Sequence, residues 1–237
     1  MGHEIVAEVS RTMKSHGNEK NRLSGQRYFK ETVRLYGVKA ADAHKVSKAL
    51  FPGVKDLPKH EIFEICEQLW QTGYIENAFV ACDWSYNLKK QYESSDFDIF
   101  EKWVSRYVTN WASCDTLCNH TVGEFIEQFP GFITPLKTWA RSDNMWMRRA
   151  AAVTFIVPAR KGKFPDEIFE IADILLTDKE DLVQKGYGWM LKAASQARPS
   201  EVFDYVMKNK VAMPRTALRY AIEKMPADKR KQAMEKL

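Results

Sequence analysis

No stretch of about 18 uncharged apolar residues occurs in this 237-residue chain, so the sequence offers no transmembrane helix. The opening run MGHEIVAEVSRTMK carries charges where a signal peptide needs an apolar core, and Val6 stands where N-myristoylation after Gly2 wants Ser or Thr. The expectation is a cytosolic protein without a lipid anchor. Cysteine is scarce: Cys66, Cys82, Cys114 and Cys118 form no CxxC pair, and reduced thiols are expected. Cys114, Cys118 and His120 lack the fourth ligand that a structural zinc site needs, so no metal is expected. Also missing are a GxxxxGK phosphate loop, a GxGxxG after a strand, HExxH and GxSxG, which argues against nucleotide hydrolysis and serine hydrolysis. No segment alternates as a half-buried strand does, and no low-complexity linker divides the chain, so a single domain over residues 1–237 with almost no sheet is expected.

What the chain has in quantity is helical periodicity. Ile62, Ile65, Cys66, Leu69 and Trp70 follow the i, i+3, i+4, i+7, i+8 pattern, as do Ile168, Ile171, Ala172, Leu175 and Leu176. Pro58, Pro165, Pro199 and Pro214 each precede a periodic run, where a helix tolerates proline in its first turn. Thr177 and Glu180 have capping-box spacing ahead of a run through Leu182, Val183, Tyr187, Met190 and Leu191. About a dozen short helices grouped in pairs near 40 residues apart predict an all-α, HEAT-like repeat solenoid with a concave face. A compact irregular bundle is the alternative.

The net charge of +5 favours phosphate-rich partners. Arg27, Lys30 and Arg34 are spaced to share one helical face, and Arg141, Arg148, Arg149, Arg160, Lys161, Lys163, Lys185 and Lys192 cluster further along. Lys229, Arg230 and Lys231 read as a solvated face. Of the seven tryptophans, Trp70, Trp84 and Trp139 read as core. Trp111 and Asp115 lie four apart in Asn110-Trp111-Ala112-Ser113-Cys114-Asp115 and share a face if that stretch is helical, a pairing more often structural than functional when taken alone.

Four segments change that weighing: Gln26-Arg27-Tyr28-Phe29-Lys30; Asn110-Trp111 with Asp115; Ser142-Asp143-Asn144-Met145-Trp146-Met147-Arg148-Arg149-Ala150-Ala151; and Gln184-Lys185-Gly186-Tyr187-Gly188-Trp189. In this order they resemble the AlkD-like DNA glycosylases over most of the chain. The resemblance implies a monofunctional, cofactor-free monomer that excises cationic alkylated purines such as 3-methyladenine and 7-methylguanine from duplex DNA without a base pocket. It implies Asp115 as the catalytic carboxylate, Trp111 and Trp189 as aromatic walls, and Arg149 as the nearby cation. Arg148 competes for that last role, but Arg149 directly precedes the Ala-Ala pair and Arg148 projects about 100° away around a helix. Tyr28 is similar to the family's DNA-contacting tyrosine, with Arg27, Lys30, Arg148 and Lys185 as further DNA contacts. The chain departs from the family after Tyr36-Gly37-Val38, where Lys39-Ala40-Ala41-Asp42-Ala43-His44 replaces a proline and basic residues. The rival readings are a relative that binds damaged or branched DNA without excising a base, and a protein-binding scaffold.

Overall fold

A computed structural model describes residues 2–235. Among these residues the regular structure is helical, and the strand-like pairing is limited to one isolated bridge between Arg34 and Tyr74. Contacts gather the chain into two compact units, 1–117 and 118–237.

The first unit contains α1 (Gly2–His16), α2 (Glu19–Gln26), α3 (Ala40–Leu50), α4 (Lys59–Gln71), α5 (Ile75–Asn87), α6 (Asp96–Tyr107) and α7 (Trp111–Thr116). The apolar stripe read from the sequence is the buried face of α4, where Ile62, Ile65, Cys66, Leu69 and Trp70 are all inaccessible. Pro58 sits at the N-cap of this helix, and Gly73, with φ of 70°, follows its end in the left-handed conformation that glycine adopts without strain. The short turn brings α5 back against α4. Nearly every residue from Ile75 to Ser85 is buried, because α3, α4 and α7 all pack on α5. Trp84 is fully enclosed there, and its indole N–H donates to Ser47 O at 3.1 Å, which satisfies the polar edge of a large apolar group. Full burial of each such side chain stabilises the unit by about 1.5–3 kcal/mol.

The second unit holds α8 (Gly123–Gln128), α9 (Ile133–Trp139), α10 (Met145–Val153), α11 (Ile156–Arg160), α12 (Pro165–Leu175), α13 (Asp181–Ala194), α14 (Pro199–Asn209), α15 (Arg215–Ala221) and α16 (Ala227–Met234). Pro165 and Pro199 occupy first helical positions and Pro214 an N-cap, as their placement ahead of the periodic runs predicts. The centre of the unit is α13, which packs against α10, α11, α12 and α15. Gly188 permits the last of these contacts: a Cβ there would lie 2.7 Å from Ala217 O and 2.7 Å from Tyr220 Cβ.

Two local expectations are corrected. Thr177 does not cap α13, whose N-cap is Glu180. Asp178 organises the turn instead: its Oδ1 accepts Glu180 N at 2.9 Å and its carbonyl accepts Gln184 Nε2 at 2.8 Å. Arg27, Lys30 and Arg34 do not share a helical face, because α2 ends at Gln26. Tight bonds from Tyr28 N to Gly25 O and from Phe29 N to Gln26 O close the helix. The Gln26 side chain then donates to Glu31 O at 2.8 Å and accepts Val33 N at 3.2 Å, folding the following chain back on itself.

Candidate active site

Trp111 opens α7. Asn110 caps the helix by accepting Ser113 N on its side chain at 2.9 Å, which fixes where the first turn begins. Trp111 and Asp115 are therefore one turn apart on a real helix, and both are half-buried. The Trp111 indole N–H donates to Tyr28 O at 3.2 Å, and its ring stacks on Phe29 with centroids 5.4 Å apart and planes 22° from parallel. One edge and one face of the indole are thus occupied by the chain that follows α2. The Tyr28 side chain is 73% exposed, so this residue seats Trp111 through its backbone and offers its phenol to solvent. Arg27 and Lys30 flank it and are exposed.

The rest of that irregular chain is anchored on the α4–α5 turn. Ile75 N donates to Arg34 O at 3.1 Å, the Arg34 guanidinium lies 4.5 Å from the Tyr74 ring centroid, and Tyr36 stacks on Tyr74 at 3.8 Å. Beyond it, Lys39–His44 forms the N-cap and first turn of α3. His44 Nδ1 is 2.8 Å from Asp83, and this hydrogen bond raises the imidazole above its ordinary pKa against an opposing effect of burial.

In the second unit, Asn144 caps α10 by accepting Trp146 N at 2.9 Å. The two arginines that follow have different surroundings, as their separation around the helix requires. The Arg148 fork is engaged with Asp178 at 2.6 Å, with Ser142 O at 2.9 Å and with Asp143 O at 3.0 Å. Arg149 is 5% exposed and donates to Leu182 O on α13. Its aliphatic stem passes Gly186, where a Cβ would stand 3.4 Å from Arg149 Cγ. Trp189, further along α13, is half-buried.

Several cations of the basic cluster read from the sequence are neutralised locally: Lys185 by Asp181 at 2.7 Å, Lys192 by Glu223 at 2.9 Å, and Lys161 and Lys163 by Glu127 at 2.8 and 2.7 Å. Burial pushes the Glu127 carboxyl up, but the two lysines outweigh it and hold the group below the usual carboxylate range. Arg27, Arg141 and Arg160 make no ion pair among the described residues. No group of three His, Cys, Asp or Glu among these residues is arranged to hold a metal ion, and no helix is long and apolar enough to cross a membrane.

Sequence reasoning missed Phe29 as a partner of Trp111, although it directly follows Tyr28 in the matched segment. It also missed Glu76, a fully buried acid on α5. The available signal was a charge set with Asn77 between Ile75 and the apolar run from Ala78 to Cys82.

Residues 9–225 match the family of DNA alkylation repair enzymes, and the chain belongs to that family. Among solved structures, a predicted DNA alkylation repair enzyme from Enterococcus faecalis superposes with a TM-score of 0.79 at 19% identity, over 90% of this chain and 98% of that one, a likeness of fold. The sequence matches no curated protein.

Proposed function

We propose that the chain is a DNA glycosylase that hydrolyses the N-glycosidic bond of cationic alkylated purines, 3-methyladenine and 7-methylguanine, in duplex DNA. The observation that carries this reading is the common face of Trp111 and Asp115 on a capped helix, with the indole fixed at its edge and one face, in a chain of the DNA alkylation repair family.

The chemistry follows from the leaving group. A purine alkylated at N3 or N7 already carries a positive charge, so the C1′–N bond breaks with its electron pair neutralising the base, and no acid is required. The sugar acquires oxocarbenium character, which a fixed carboxylate stabilises. Asp115 fills that role, orients the attacking water and accepts its proton, leaving an abasic site. In this reading Trp111, and Trp189 as a second wall, would each attract the cationic sugar or base by about 0.5–2 kcal/mol. Preference for charged lesions then comes from the site's chemistry, without a pocket enclosing the base. Arg149 is the site cation in this reading. Tyr28, Arg27 and Lys30 would contact the DNA backbone; Arg148 and Lys185 would do so while shared with Asp178 and Asp181.

We read the protein as a cytoplasmic monomer whose partner is damaged duplex DNA, and as one domain, since a single family match runs across both units. The test is base release from duplex DNA carrying one 7-methylguanine, with Asp115→Asn alongside. Release by wild type and a loss of about 100-fold or more in the variant, with DNA binding retained, supports the reading. Salt-sensitive binding without release from any cationic lesion would leave a DNA-binding relative that does not excise bases.

A further inference from the structure

Glu76 is 0% exposed, yet among the described residues no cationic side chain is paired with it. Its carboxylate accepts three consecutive backbone N–H groups: Tyr36 N at 3.2 Å, Gly37 N at 2.9 Å and Val38 N at 3.1 Å. Three converging N–H groups replace the hydrogen bonds that a carboxyl group gives up on leaving water. A position that served packing alone would take an apolar side chain. The backbone at Gly37 has φ of 86°, and a Cβ there would fall 2.3 Å from Asn18 O, so the loop that cradles the acid closes tightly on the start of α2.

What this acid holds can be traced residue by residue. Its loop continues back to Arg34, whose carbonyl accepts Ile75 N at 3.1 Å, next to Glu76 itself. Val33 N binds the Gln26 side chain at 3.2 Å, and Gln26 O accepts Phe29 N at 3.1 Å. Phe29 carries one face of Trp111, and the Tyr28 carbonyl holds its indole N–H. We propose that Glu76 is a positioning residue for Trp111: its buried carboxylate locks the 27–38 segment, and that segment sets the indole. The inference deepens the glycosylase reading and rests on it for its catalytic consequence, although the mechanical link stands by itself.

The link is tested without activity. In 15N-labelled protein, the indole signal lost in Trp111→Phe identifies Trp111. Glu76→Gln keeps the size of the side chain but turns an acceptor oxygen toward a donor as NH2. The Trp111 indole should shift and exchange with solvent about tenfold faster or more, while the Trp139 and Trp189 signals stay in place. Gln26→Ala breaks the path midway, leaves the buried acid alone, and should move the same signal, so the test survives if Glu76→Gln does not fold. An unmoved Trp111 indole in the folded variants overturns the proposal. In single-turnover release from saturating 7-methylguanine duplex, Glu76→Gln should slow the wild-type rate about tenfold, and the slowing should vanish in a Trp111→Ala background; additive losses overturn it. If wild type releases no base while the indole moves, the glycosylase reading fails and the clamp stands.

Discussion

Trp111 and Arg149 are held in place by opposite means. Trp111 is seated by irregular chain, through a backbone carbonyl and a stacked ring from residues 28 and 29. Arg149 is seated by one helix against another, its stem lying along Gly186 and its guanidinium meeting Leu182 O on α13. The difference shows which contacts announce themselves in a sequence. Helix-on-helix contacts leave a periodic trace, whereas a segment fastened by side chain to backbone bonds leaves none.

The comparison can be broken at the glycines. Gly37→Ala in the first unit would force a left-handed φ on alanine and drive a Cβ to 2.3 Å from Asn18 O. We expect a loss of about 2–5 kcal/mol in denaturant unfolding, the largest of these effects. Gly188→Ala in the second unit meets Ala217 O and Tyr220 Cβ at 2.7 Å but keeps a helical backbone, and should cost about 1–3 kcal/mol by the same measurement. Gly186→Ala sharpens the contrast: its Cβ meets the flexible stem of Arg149 at 3.4 Å. Alanine's better helix propensity, worth about 1 kcal/mol, should hold the stability near that of wild type. A large loss at Gly186 would mean that Arg149 is as rigidly confined as the Trp111 ring.

The smallest effect concerns pH. The hydrogen bond to Asp83 raises the His44 pKa above its ordinary 6.5, so the pair's stabilisation is fully present below that value and is lost as pH rises through the folded-state pKa. With side chains 41% and 29% exposed, solvent screening limits it to about 0.5 kcal/mol or less. The difference in unfolding midpoint between wild type and His44→Gln should be larger near about pH 5.5 than near about pH 8.5. A difference that grows with pH would reverse the assignment.

Most of the regular structure was legible. The stripe through Ile62 and Trp70 is the buried face of α4, that through Ile168 and Leu175 the buried face of α12, and Trp70, Trp84 and Trp139 are core. The spacing of Trp111 and Asp115 left their common face conditional on a helix, and the Asn110 cap that starts that helix was not read from the sequence. The start of α13 was misread because Thr177 and Glu180 satisfy capping-box spacing, while the Asp178 carboxylate, shared between Glu180 N and Arg148, shapes the turn. The face assigned to Arg27, Lys30 and Arg34 failed because Gln26 turns the chain with its side chain, which periodicity does not register. The ion pairs of Lys185, Lys192, Lys161 and Lys163 were hidden for a related reason: apart from the i, i+4 pair of Lys185 with Asp181, the partners lie more than thirty residues away in sequence.

The central claim is that a single carboxylate suffices because the leaving base is already charged. The most direct measurement compares base release by wild type from two duplexes identical except for the lesion, one carrying 7-methylguanine and the other the neutral purine hypoxanthine. The account predicts release from the cationic lesion and none above background from the neutral one. Comparable release of hypoxanthine would require a proton donor that the proposed site does not include, and would contradict it.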